Sequence, residues 1–191
     1  MGDLTTLAVV KEQHGVTGSS YDMLITTVIA AVSLTIERYI GRTITEGTYS
    51  DEYLNGDGMS DQLVLKNWPV TSAVTFVLKE DGSTVASTNY TVDDSSGIIY
   101  TLPDYYGSSA WTRGRRNFTV TYSAGYATVP ADIKQAATDQ VRRQLYQVQP
   151  LGSNWLGKKS ISEAPGFVTV YETAELLPGV RQILNQYRRR F

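Results

Sequence analysis

The chain has 191 residues, 41% hydrophobic and 19% charged, enough to bury a core as one elaborated domain or two small lobes. It has no cysteine and one histidine, which excludes disulfide frameworks, thiolate zinc sites and cysteine nucleophiles and nearly excludes histidine-based triads. The formal net charge of −2 hides a division: residues 1–112 hold 5 Lys/Arg against 14 Asp/Glu, and residues 113–191 hold 12 against 5, a pattern read either as ordinary solvated faces or as complementary ends that favour ordered docking.

The first residues, "MGDLTTLAVVKEQHG", show no cationic start followed by an apolar run, so no signal peptide is expected. No stretch is expected to supply the ~20 apolar residues of a membrane helix, and the expectation is a soluble protein made in the cytoplasm. A short helix is predicted over about Thr6–Gln13, ended by Gly15. Ser19 and Asp22 have the spacing of a capping box for the next helix, with Ser20 as the other candidate cap. In that helix Ile25, Val28, Ile29, Val32, Ile36 and Tyr39 recur at three- and four-residue steps until Gly41 ends it.

From Thr43 to Tyr126 the period falls to two. "QLVLKNWPV" ends at Pro69, which cannot donate to a ladder. "AVTFVLKEDGSTVASTNYTV" reads as a hairpin turning at "EDGS". "IIYTL" is another strand, and "NFTVTYS" alternates Phe118, Val120 and Tyr122 with Thr119, Thr121 and Ser123. Together these predict an antiparallel sheet or small sandwich, with "PDYYGSSAWTRGRRN" as an exposed loop. Helix returns after Pro130, with Asp132 in its first turn and Ile133, Ala137, Val141, Leu145 and Val148 as its buried stripe. Residues 150–170 read as an irregular linker before a last helix with Val180, Ile183, Leu184 and Tyr187 on one side.

No reaction centre assembles. "GSNWLGKKS" has the P-loop spacing at Gly152, Gly157 and Lys158, but Lys159 stands where the magnesium-binding hydroxyl belongs, with Ser160 one place late, and the stretch follows a helix instead of a strand. Asn55, Asp57 and Asp61 suggest calcium, yet Ser60 and Lys66 occupy the places of the loop glycine and the bidentate glutamate. His14 has no second histidine with which to share a metal and reads as a surface or cap residue. The expectation is no catalytic residue, no metal and no cofactor. Tyr100, Tyr105, Tyr106 and Trp111 could form an aromatic platform for sugars or for another protein. Arg113, Arg115 and Arg116, and Arg188, Arg189 and Arg190, form basic clusters without a nucleic-acid reading motif.

The C-terminal helix has a physical argument of its own. A segment of about a dozen residues is marginal in water, and burying its four large apolar residues would yield roughly 6–8 kcal/mol gross. It therefore docks, either back onto its own bundle or into a partner.

"DMLITTVIAAVSLTIERYIGRTI", with Tyr39, Gly41 and Arg42 at its end, is similar to the second helix of head–tail connector (adaptor) proteins of long-tailed bacteriophages. "FTVTYSAGYATVPADIKQAATDQVRRQLY" resembles the strand-to-helix return of the same proteins, with Tyr122, Gly125, Tyr126, Pro130, Asp132, Ile133 and Ala136 at matching places. The opening "LAVVKEQHGV" followed by "YD" also fits, so the resemblance spans roughly residues 4–148. It implies an α+β fold: a helical bundle of three main helices plus a C-terminal helix, with an antiparallel β insertion between the second and third helices. The corresponding division is 1–43 and 127–149 for the bundle, 44–126 for the insertion, and 150–191 for linker and docking helix.

The function implied is a non-enzymatic ring of twelve copies under the portal protein at the head–tail junction of the virion, assembled in the host cytoplasm. The next tail-side completion (stopper) protein would sit below it, DNA would pass through the lumen without sequence-specific binding, and no membrane is involved. Val180, Arg181, Ile183, Leu184, Tyr187 and Arg188 to Arg190 would dock on the portal or a neighbour. Tyr105, Tyr106, Trp111, Arg113, Arg115 and Arg116 would make inter-subunit or tail-side contacts. The alternatives are a carbohydrate-binding β module on a helical mount, whose sign would be exposed aromatics along one groove, and a hydrolase needing a pocket of convergent polar groups.

Overall fold

The computed structural model describes residues 2–71, 76–103, 110–147, 160–164, 167–170 and 176–188. They divide into two compact units, one of residues 43–128 and one of residues 2–42 and 129–191.

The second unit is helical. Helix α1 (Leu7–His14) starts where the Thr6 hydroxyl accepts the Val9 N–H, and it ends at Gly15 in the left-handed region. Burial, and then the Arg142 charge, lowers the pKa of His14 at its end. Helix α2 (Asp22–Ile40) ends at Gly41, φ 81°, whose N–H bonds the Glu37 carbonyl. The predicted capping box does not form: Tyr21 is the cap without a side-chain bond, and Asp22 pairs with Lys11 at 2.6 Å.

Contrary to expectation, α2 is by length and composition alone apolar enough to cross a membrane, at 19 residues and a mean hydropathy of 1.5. Its Ile25, Ile29, Val32, Ile36 and Ile40 are buried within their own unit, which is the position of a core helix. Each such side chain contributes about 1.5–3 kcal/mol of gross apolar burial. Helix α3 (Ala131–Gln147) buries Ile133, Ala136, Ala137, Val141 and Leu145, as its periodicity predicts; Val148 lies outside the described residues. Helix α4 (Pro178–Asn185) buries Val180 and Leu184.

Among its described residues the first unit is built of two antiparallel sheets. One runs β1 (Gly47–Gly56), β7 (Gly114–Ala124), β3 (Val77–Glu80), β4 (Ser83–Thr84); the other runs β2 (Gln62–Val64), β6 (Ile98–Thr101), β5 (Tyr90–Asp93). The β3–β4 turn is the "DG" turn read from sequence, with Asp81 and Gly82 both at positive φ. A shared core holds Leu54, Leu63, Leu65, Val70, Leu78, Val85, Ile99, Trp111, Phe118, Val120, Tyr122 and Ala124.

This corrects the expected fold class, a helical bundle carrying one β insertion. Among the described residues the chain is α+β, with four α-helices and with two antiparallel sheets in the unit of residues 43–128. Strand structure also returns beyond α3, where β8 (Ser160–Ala164) and β9 (Phe167–Val170) pair with each other inside the supposed linker. Two β-prone runs around Pro165–Gly166 carry a hairpin signal, masked in sequence by the glycine- and lysine-rich run before them. Strand β7 likewise begins at Gly114, inside the stretch expected to be loop, because Gly114 pairs with Gly56 across an irregular register.

Gly125 shows why the strand-to-helix return needs glycine. Its φ is 111°, and an added Cβ would lie 2.6 Å from the Thr45 carbonyl oxygen. Gly125→Ala is expected to cost roughly 1–3 kcal/mol of stability, read as a lower urea midpoint of the β unit.

Candidate interaction surfaces

Within the β unit, Tyr122 is wholly buried on β7. Its phenol donates to Glu52 Oε2 at 2.7 Å and accepts the Asn67 N–H at 3.2 Å. The other Glu52 oxygen accepts the Lys66 N–H at 3.0 Å. Burial first, and the hydrogen bond and charge of Glu52 next, push the Tyr122 pKa far above the ordinary phenol value. This is a structural lock, because the buried carboxylate is satisfied on both oxygens. A raised folded value stabilises the fold below the unfolded tyrosine value of about 10, and that stabilisation is lost as pH rises past it. Tyr122→Phe is therefore expected to cost about 1–2 kcal/mol near neutrality and to flatten the fall of stability above about pH 10. Urea titrations at a series of pH values check both; an unchanged alkaline slope would contradict the lock.

On the same unit, Arg113, Arg115 and Arg116 are exposed where β7 begins. The Arg116 guanidinium lies 3.9 Å from the centre of the Tyr53 ring, and its backbone N–H donates to Asn55 Oδ1. A cleft of about 400 Å³ opens between this edge and the 55–59 turn, where Met59 is 89% exposed. Asp57, a candidate calcium ligand from sequence, closes its own turn by accepting the Met59 and Ser60 N–H groups. Those bonds lower its pKa. Trp111 does not join the surface: it is 1% exposed, with its ring edge-on to Phe118 at 5.1 Å. Tyr100 is half-buried on β6. Tyr105 and Tyr106 lie outside the described residues, so no aromatic groove forms among the described ones.

In the helical unit, the residues of "YIGR" turn out to seat the C-terminal helix. Tyr39 donates its hydroxyl to Asn185 Oδ1 at 2.8 Å, and the half-turn created by Gly41 lets buried Arg42 donate Nε–H to the Tyr187 carbonyl at 3.0 Å. The Tyr187 hydroxyl reaches both Asp132 oxygens at 2.8 and 3.0 Å, from the first turn of α3. At the other end of α4, the Leu177 N–H donates to Gln140 Oε1 at 3.0 Å. Val180 and Leu184 are buried, Ile183 and Tyr187 half-buried, and Arg181 and Arg188 exposed, with Arg188 5.5 Å from the Tyr39 ring. Arg189 and Arg190 lie outside the described residues. The apolar face expected to reach a partner is thus engaged within its own unit. Gln140 was missed in the sequence, since a polar residue inside a helix carries no sign of what it will bond.

The outward face of α2 is a third surface. No charge lies between Met23 and Ile36, and Met23 is 85% exposed. The hydroxyls of Thr26, Thr27 and Thr35 donate to the carbonyls of Asp22, Met23 and Ala31. That leaves methyl groups facing outward beside exposed Ala30 and Ala31.

The profile of the family described as "Head completion protein" matches residues 3–190. The chain belongs to the head completion protein family. The resemblance to phage head–tail connectors therefore holds, and the family is a structural one, not a family of enzymes. No curated protein matches the sequence. The fold of this head completion protein is similar to a chain from the neck of an empty gene transfer agent (GTA) particle computed with C6 symmetry, with TM-score 0.58 at 17% identity over 97% of this chain and 89% of that one. It is similar to a chain from the neck of the native particle computed with C12 symmetry, with TM-score 0.56 at 16% identity over 98% and 93%. A chain of the native virion gives TM-score 0.57 at 16% identity over 98% and 94%. At these identities the likeness is one of fold.

Proposed function

We propose that this head completion protein is a ring-forming adaptor of the particle neck. It takes a place between the portal protein and the next tail-side component, and DNA passes through its lumen without being read. The observation that carries this reading is the family match over residues 3–190, joined to a fold shared with chains from necks computed with C6 and C12 symmetry. Twelve copies is the number that the C12 neck suggests.

A cyclic ring needs two different faces on each copy. The uncharged outer side of α2 suits close packing of copies, whereas the arginine edge of β7 suits an acidic face on a neighbour or on the tail-side component. Arg113→Glu with Arg115→Glu is expected to leave the melting temperature of the isolated chain unchanged, because both side chains are exposed. The same pair is expected to lower the yield of tailed particles at least tenfold, a factor that corresponds to about 1.4 kcal/mol in an assembly equilibrium. Counting tailed and tailless particles by electron microscopy checks this.

The test of the reading itself is removal of the chain from the particle. Heads without tails are the expected product; normal tailed, infectious particles would overturn it.

A further inference from the structure

The seat of α4 and α4 itself are two separable parts. Every seat group comes from before residue 148: Tyr39, Arg42, Asp132 and Gln140. Every group that fills it comes from after residue 175: Leu177, Val180, Leu184, Asn185 and Tyr187. Between α3 and α4 run 30 residues, 148–177; with residues 160–170 doubled back as a ribbon, the remainder has an extended reach on the order of 60 Å. Helix-to-helix connections in bundles usually take about 2–8 residues. Among the described residues of this connection, β8 and β9 pair with each other and join neither of the larger sheets. A two-stranded ribbon standing alone is marginal in water. An eight-residue helix is marginal too, so α4 exists by virtue of its seat.

We propose that α4 is an exchanged arm: in the assembled ring, the seat of each copy takes α4 from the adjacent copy. This inference rests on the ring-forming reading above. The same four polar residue pairings and two buried apolar side chains form whether α4 is the chain's own or a neighbour's, so the two arrangements differ only in the closure and surroundings of the connection. Closure entropy changes slowly with length, by about 0.6 kcal/mol per doubling, so a connection this long imposes little preference of its own. Beside a neighbour held in the ring, both seats are within reach of one arm. Handing the arm on in one direction also gives the head-to-tail contact that a closed ring requires.

The absence of cysteine makes the test direct. Full-length chains carrying Tyr39→Cys or Asn185→Cys are mixed, assembled with the portal into rings, and treated with a short bis-maleimide. The ring is read independently by native mass spectrometry. Covalent dimers of one variant with the other are expected as the main product in rings, while the double variant as a free monomer closes only within itself. Rings in which the double variant still links only within one chain would overturn the exchange and leave the ring reading standing. Failure to form any ring with wild-type chain would overturn both. Arg188→Cys replaces Asn185→Cys if the latter fails to fold, since Arg188 is exposed and lies beside the Tyr39 ring.

Discussion

Replacing Trp111 with alanine is expected to lower the stability of the β unit by about 3–5 kcal/mol, one of the two largest effects expected of any single change. The indole is enclosed by a core that includes Leu54, Phe118 and Val120, and it meets Phe118 edge-on at an interplanar angle of 73°. Removing it takes away both the transfer energy of a large aromatic and the aromatic pair, and it leaves a cavity that the strands close only in part. Trp111→Phe, which keeps a ring in the site, is expected to cost markedly less. Urea unfolding followed through the β unit measures both. A loss below about 1 kcal/mol, together with defective assembly, would mean that the side chain works at a surface and not in the core.

Leu184→Ala is the second large effect, expected at about 2–5 kcal/mol on the helical unit. Leu184 is fully buried, and with Val180 it is the apolar part of what fills the α4 seat. The polar groups of the seat are Tyr39, Arg42, Asp132 and Gln140 around the two ends of α4. With the leucine gone, α4 lacks the burial that holds so short a helix, and Arg42 and Asp132 lose their partners on Tyr187. Hydrogen exchange in α4 should accelerate before the rest of the unit is affected. By contrast, exposed Arg181→Ala should change stability by less than about 0.5 kcal/mol. Equal effects at positions 181 and 184 would show that α4 is not seated as described.

The contrast between these two side chains shows how much the sequence disclosed. The stripes of α2 and α3 were legible because a 3.6-residue period is written in consecutive residues. The turn at Asp81–Gly82 was legible because both positions need positive φ. Trp111 was not, since a tryptophan beside a run of arginines has the composition of a contact surface, and only the pairing of distant strands encloses it. The division into two sheets was hidden for a similar reason: alternation marks a strand but does not say which strand it joins.

The seat of α4 was half legible. The resemblance drew attention to Tyr39, Arg42 and Asp132, and the amphipathic spacing showed that the last helix must dock. What it docks on is a matter of contacts from 37 residues apart, Gln140 with Leu177, to 146 apart, Tyr39 with Asn185, for which a single sequence carries no local sign. Strands β8 and β9 were missed because the preceding "GSNWLGKKS" reads as linker, and the short runs around Pro165–Gly166 were absorbed into it.

The most direct test of the account is a density map of the neck of the particle that carries this chain, reconstructed without imposed symmetry. The account predicts a closed ring of copies of the chain, coaxial with the portal and lying between it and the tail. Absence of the chain from the neck, or its presence as scattered copies without rotational order, would contradict it.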